Sequence, residues 1–143
     1  MTATRAPDEL TQLLAGFVKN TSGAIGALVT STDGMLIAHH IDHIDPDAPH
    51  TLSAVTSGLY SLSTGANSLL SRAGGVQYIM IMMDKGQLVA MAAGTGALFT
   101  LLTDEHADTE QVAYEASLLV KRIPAILSVA PRTPTGATSG PVT

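Results

Sequence analysis

The sequence predicts an α/β (α+β) domain: a five-stranded antiparallel sheet with helices on both faces, in the order α-β-β-α-β-β-β-α. Three observations carry that prediction. Apolar residues recur at three- and four-residue spacing near both ends and in the middle of the chain, as amphipathic helices require. The last three apolar runs are joined by the links Asp84-Lys85-Gly86 and Gly94-Thr95-Gly96, whereas a parallel crossover needs about a dozen residues or more. The run Val76–Met83 is apolar on both alternating faces, with Val76, Tyr78, Met80 and Met82 on one and Ile79, Ile81 and Met83 on the other. Such a strand belongs to a sheet covered from both sides.

In order along the chain, residues 1–6 are expected to be a flexible start, 7–130 the folded domain, and 131–143 a disordered tail with three prolines. Pro7 and Asp8 open the first helix, whose stripe is Leu10, Leu13, Leu14, Phe17 and Val18, and Asn20-Thr21-Ser22-Gly23 ends it. Ala24–Thr30 and Met35–His40 read as strands around an Asp33-Gly34 hairpin signal. After a polar loop, Asp42–Pro49, a long helix is expected from about His50 to Arg72, broken by Gly74-Gly75. Strands then follow over Val76–Met83, Gln87–Ala93 and Ala97–Leu102. Asp108 caps the final helix and Gln111 completes a capping box. That helix carries the stripe Val112, Ala116, Leu119, Ile123 and Ile126, with Pro124 distorting its last turns.

The chain has 143 residues, enough for one domain. Charged residues are 13%, against about 25% in ordinary soluble domains. Aromatics are 3% and Trp is absent, so the core is aliphatic. A net charge of −5 and the lack of a basic patch exclude nucleic acid as the expected partner. With no cysteine there is no disulfide, thiol nucleophile or thiolate metal site. The first twenty residues hold Asp8 and Glu9 and no apolar signal region. The uncharged stretch Gly86–Thr103 is interrupted by Gly94-Thr95-Gly96 and falls short of the roughly 20 apolar residues of a spanning helix. The expected location is cytoplasmic, with membrane association only through partners.

From Ala48 to Thr103 only Arg72, Asp84 and Lys85 carry a formal charge. Too few faces in this region suit water, so another subunit is expected to cover part of it. In the central helix, Leu52, Val55, Leu59, Leu62, Ala66 and Leu69 follow a 3-4-3-4-3 spacing that reads as a seam onto the protein's own sheet. Beside it runs a stripe of small residues, Ala54, Gly58, Ser61, Gly65 and Ser68. Glycine within a helix costs about 1 kcal/mol relative to alanine, and close contact with a partner helix offsets that cost. The remaining face, Ser53, Ser57, Tyr60, Thr64 and Ser71, is polar without charge and suits an interface.

Catalytic motifs are few. No GK[ST] phosphate loop occurs, Gly94-Thr95-Gly96 opens no helix, and no serine sits in a GxSxG elbow. His106, beside Asp104 and Glu105, reads as a solvated helix-end residue rather than part of a triad. His39-His40-Ile41-Asp42-His43-Ile44-Asp45-Pro46-Asp47 has the residue types for zinc or nickel. Pro46 and the preceding strand argue against the helix that would cluster His39 with His43. The loop reads instead as a solvated segment that keeps an edge strand soluble. No metal and no cofactor are assigned.

The Ser31-Thr32-Asp33-Gly34 turn, Leu52 to Val55 with Ser57-Gly58-Leu59, and the Gly74-Gly75-Val76 break recur in a known family. So do Thr100-Leu101-Leu102 and the helix start Val112-Ala113-Tyr114-Glu115-Ala116 with Leu118-Leu119-Val120. In this order they resemble the roadblock/dynein light chain family, particularly its small actinobacterial members, over about residues 8–127. The resemblance implies a profilin-like three-layer sandwich and a homodimer in which third strands and central helices meet. It implies a partner of Ras-like small GTPases, some members speeding hydrolysis by arranging the GTPase's own residues. It also implies a signalling set that includes a sensor-kinase-like membrane protein. The central helix has no arginine before Arg72 to serve as an arginine finger, so the chain is expected not to be an enzyme. The expected dimer contacts are Ala54, Gly58, Ser61, Gly65, Val76, Tyr78 and Met80, and the expected GTPase contacts are Ser53, Ser57, Tyr60 and Thr64. The alternatives are a scaffold dimer of a sensor-kinase complex that touches no GTPase and, more distantly, a metal-dependent enzyme using the His39–Asp47 loop.

Overall fold

A computed structural model describes residues 6–42, 44–70 and 74–128. Most of the expected start, and the tail over 131–143, lie outside the described residues, as do His43, Ser71 and Arg72. The elements are α1 (Ala6–Asn20), β1 (Ala24–Ser31), β2 (Leu36–Ile41), α2 (Ala48–Leu69), β3 (Ile79–Met83), β4 (Gly86–Ala92), β5 (Ala97–Asp104), α3 (Thr109–Val120) and α4 (Ile123–Ser128). The strands form one sheet in the order β2-β1-β5-β4-β3, every pair antiparallel. The α+β sandwich that the sequence predicts is the fold observed.

Strand alternation divides the sheet into two faces. One face presents Ala27, Val29, Val89, Met91, Phe99 and Leu101, which join Leu10 and Leu14 of α1, Val112, Ala116 and Leu119 of α3 and Ile123 of α4 in one buried cluster. Phe17 meets Phe99 edge-on with ring centroids 5.9 Å apart, the arrangement aromatic quadrupoles favour. The opposite face presents Leu28, Thr30, Leu98 and Thr100, and α2 lies over it.

The β1–β2 turn is built by short polar side chains. The Ser31 hydroxyl donates to the Asp33 carboxylate and accepts from the Met35 backbone N–H at 3.0 Å. Gly34 sits at φ 93°, a left-handed conformation that glycine adopts without strain.

Three details depart from the expected elements. β3 begins at Ile79, three residues later than Val76, because its pairing starts at Ile79↔Ala90. Gly74 and Gly75 both have positive φ and swing the chain back toward the sheet, and the residues up to Tyr78 make that approach without pairing. The capping box at α3 is half made. Asp108 Oδ1 accepts the Gln111 N–H at 3.0 Å, but the Gln111 side chain turns to Glu115 at 2.7 Å. The final helix is two helices, because the proline ring at position 124 denies the helix the backbone bonds it needs there, and α3 stops at Val120.

Candidate functional site

The expected seam of α2 does not face the sheet squarely but is rotated outward. The buried residues of α2 are Pro49, Ser53 and Thr56. Val55, Leu62 and Leu69 are exposed, Leu62 by 75% and Leu69 by 85%, while Leu52 and Leu59 are half-buried and Ala66 is exposed. The physical reason lies in the sheet beneath. Thr30 and Thr100 stand on the face that α2 covers, and both are fully buried. Buried hydroxyls need partners. A helix that turned its leucines onto Thr100 would deprive it, and α2 turns Thr56 inward instead. Thr56 Oγ1 and Thr100 Oγ1 lie 2.8 Å apart. The Ser57 hydroxyl donates to the Thr32 carbonyl at 2.6 Å and ties α2 to the β1–β2 turn. Thr30 Oγ1 is buried and has no partner among the described residues.

The polar residues expected on the outer face are therefore divided. Ser53 is fully buried, its hydroxyl donating to the Pro49 carbonyl at 2.9 Å, so it does not lie on an outward surface. Ser57 and Tyr60 are half-buried and Thr64 is exposed. Ser71 lies outside the described residues.

The small stripe does face outward. Ala54, Gly58, Ser61, Gly65 and Ser68 are all exposed. A Cβ added at Gly58 or Gly65 would meet nothing within 4 Å. The packing of this chain thus makes no demand for glycine at either position, and the helical cost is left without an internal offset. Together with Val55, Leu62, Ala66 and Leu69, these residues give α2 an outer face of apolar and small side chains, closely approachable and free of acidic or basic groups.

That face adjoins a second unsatisfied surface. α2 reaches across the sheet to β3, an edge strand with no partner on its outer side among the described residues. Near this edge Tyr78, Met82 and Met83 are exposed, Met82 by 63%. Of the expected contact residues here, Val76 is half-buried and Met80 packs into the core cluster, so Met80 offers its backbone rather than its side chain. Exposed apolar area beside an open strand edge marks an interaction surface. The sequence reading missed Val55, Leu62, Leu69, Met82 and Met83 as surface residues. The signal that could have found them is the hydroxyl series Ser53, Thr56, Tyr60 and Ser63, which repeats at the same 3-4 spacing as the leucines.

Other concave features carry less chemistry. A groove of about 570 Å³ between α1 and the α3–α4 pair is floored by Leu13, Phe17, Leu119 and Ile126 and rimmed by Glu9, Glu115 and Arg122. In β2, His39 pairs with Leu28 and His40 with Ala27, so the two imidazoles point to opposite faces of the sheet. His40 Nε2 lies 3.7 Å from Asp42 Oδ2. Among the described residues no group of three or more His, Asp or Glu side chains stands together at a metal-binding geometry. Among them also, no helix is long and apolar enough to cross a membrane.

Comparison with known proteins adds further findings. A family model described as the Roadblock/LC7 domain matches residues 10–103. A Roadblock/LC7 domain from Streptomyces avermitilis superposes with a TM-score of 0.76 at 29% identity, covering 83% of this chain and 98% of that one. The gliding protein MglB from Thermus thermophilus superposes with a TM-score of 0.78 at 21% identity, covering 91% and 96%. Profilin IB of Acanthamoeba castellanii shares the fold at a TM-score of 0.51 and 15% identity, over 80% and 96% of the two chains. No curated protein matches the sequence.

Proposed function

This chain belongs to the Roadblock/LC7 domain family, and on that premise we propose that it is a homodimeric, non-catalytic adaptor that docks a Ras-like small GTPase. The observation that carries the proposal is the outer face of α2, uncharged and lined by apolar and small residues from Ala54 to Leu69, beside the open edge of β3. Two copies related by a two-fold axis satisfy both surfaces at once. Their β3 edges pair, extending the sheet across the two subunits, and their α2 helices approach through Gly58 and Gly65 with Leu62 and Leu69 alongside. A stable pairing of this kind buries more than about 1,000 Å² in total.

The GTPase contact is assigned to the margin of the paired helices, where Tyr60 and Ser57 are half-buried and Thr64 is exposed. Ser53 is excluded from it by burial. α2 supplies no arginine, so this protein would act on hydrolysis only by arranging the GTPase's own groups. A sensor-kinase-like membrane protein is the expected further member of the assembly.

The test is affinity capture with the full chain from native lysate, read by mass spectrometry, followed by calorimetry with the captured GTPase loaded with a non-hydrolysable GTP analogue. Saturable binding at one GTPase per dimer or per subunit supports the proposal. Capture of signalling proteins without any small GTPase replaces it with a scaffold dimer.

A further inference from the structure

We propose that the groove between α1 and the α3–α4 pair is the seat of this chain's own continuation, Val129-Ala130-Pro131-Arg132, which closes over it as a strap. The groove lies on the face of the sheet opposite α2. The proposal is therefore independent of the dimer and of the GTPase.

Three properties of the groove leave it uncovered. α1 packs against α4, and α4 against α3, but α1 and α3 do not close on each other. About 570 Å³ stands open between them. The floor is apolar, and its Leu13, Phe17 and Ile126 are only half-buried. Gly16 lies in the α1 wall, inside the helix, where an added Cβ would meet nothing within 4 Å. Glycine there costs about 1 kcal/mol relative to alanine, and no packing among the described residues offsets it. A backbone lying close against α1 does.

Position, charge and backbone chemistry name the occupant. α4 ends at Ser128, and its Ile126 already forms part of the floor. Four further residues span at most about 14 Å, so Arg132 arrives while the chain is still beside the groove. Arg132 is the only charged residue from 129 to 143. The rim carries two carboxylates, Glu9 on α1 and Glu115 on α3. Glu115 accepts a hydrogen bond from Gln111, but neither carboxylate meets a cation among the described residues. Arg122 at the α3–α4 junction is the one cation on the rim, and the two carboxylates outnumber it. Pro131 has no N–H to leave unsatisfied against an apolar floor, and its fixed φ lowers the cost of ordering the strap. Covalent attachment supplies a local concentration in the millimolar range, so contacts too weak to hold a free peptide suffice.

The strap makes access to the groove a property of the chain itself. Another protein enters only by displacing it. The apparent affinity of that protein is reduced by the fraction of chains in which the groove is open.

The full chain has no cysteine, so a single introduced thiol is labelled alone. Thr135→Cys carries a nitroxide, and the backbone amides are read with the label oxidised and then reduced. Broadening is expected to be strongest at Gln12–Phe17 and Glu115–Leu119. Relative to the α4 amides Ala125–Ser128, it is expected to fall at least threefold in Arg132→Glu and in Glu9→Gln/Glu115→Gln. Broadening confined to α4, or a ratio unchanged in both variants, overturns the strap. Mixing isotope-labelled wild type with nitroxide-labelled chain of natural isotope content identifies the source. Groove amides that broaden only in the mixture would assign the groove to a second copy's segment, which also overturns the strap.

Discussion

Thr56 of α2 and Thr100 of β5, forty-four positions apart, join their hydroxyls at 2.8 Å in a fully buried site. Removing one partner alone strands the other, which costs about 1–3 kcal/mol for a buried group. Thr56→Val is expected to lower stability by an amount in that range, and Thr56→Val/Thr100→Val to recover most of the loss. Urea unfolding of the two variants checks this. A double variant less stable than Thr56→Val would mean that the hydroxyls do not answer each other.

Gly58→Arg and Gly65→Arg separate folding from association. An added side chain meets nothing within 4 Å at either site, and the helix sheds a glycine penalty of about 1 kcal/mol. The subunit is expected to keep its circular dichroism and melt no lower than the isolated wild-type subunit. The charge falls where two α2 helices approach, so the variants are expected to run as single chains, while light scattering of the wild type gives twice the 14.7 kDa chain mass. A wild type that scatters as one chain at micromolar concentration removes the basis of the proposed dimer.

Tyr60→Ala is expected to leave the dimer intact and weaken GTPase binding at least tenfold, since truncating an aromatic hot spot costs about 2 kcal/mol or more. Calorimetry against the GTPase bound to a non-hydrolysable analogue measures it. Unchanged affinity in both Tyr60→Ala and Ser57→Arg moves the contact to another surface.

Replacing His39, His40 and His43 together with Gln is expected to shift the melting temperature by only a few degrees, because exposed substitutions cost about 0.5 kcal/mol or less each. His39 is exposed and His40 half-buried beside Asp42. A stoichiometric metal in untagged protein, lost from this variant together with stability, would restore the His39–Asp47 loop as a functional centre.

Much of the fold is legible in the sequence because local signals and tertiary packing agree. Leu10 and Leu14 of α1, and Val112, Ala116 and Leu119 of α3, stand at helical spacing and are buried as that spacing requires. The short links after Met83 and after Ala92 dictate antiparallel pairing, which is what β3, β4 and β5 show. The inward face of α2 is not legible, because periodicity marks two neighbouring stripes, about 100° apart around the helix, and not which of them turns inward. Leu52, Val55, Leu59 and Leu62 keep a 3-4-3 spacing, and Ser53, Thr56, Tyr60 and Ser63 keep the same spacing one step along. The decision between them belongs to Thr100, a residue far away in sequence whose buried hydroxyl needs a partner. The outward surface becomes visible only with the sheet in place.

The two borders of the sheet are chemically unlike. β2 closes one side with exposed His39 and half-buried His40, and α1 packs along it, while β3 leaves Met82 and Met83 bare on the other. A ribbon with adhesive on both margins propagates into a filament, because each addition exposes another adhesive margin. With apolar side chains bared on one margin only, pairing through β3 consumes that margin and turns the two β2 margins, lined by histidine, outward. Under the proposed pairing, growth along the sheet stops at two copies, and no capping protein is needed to stop it.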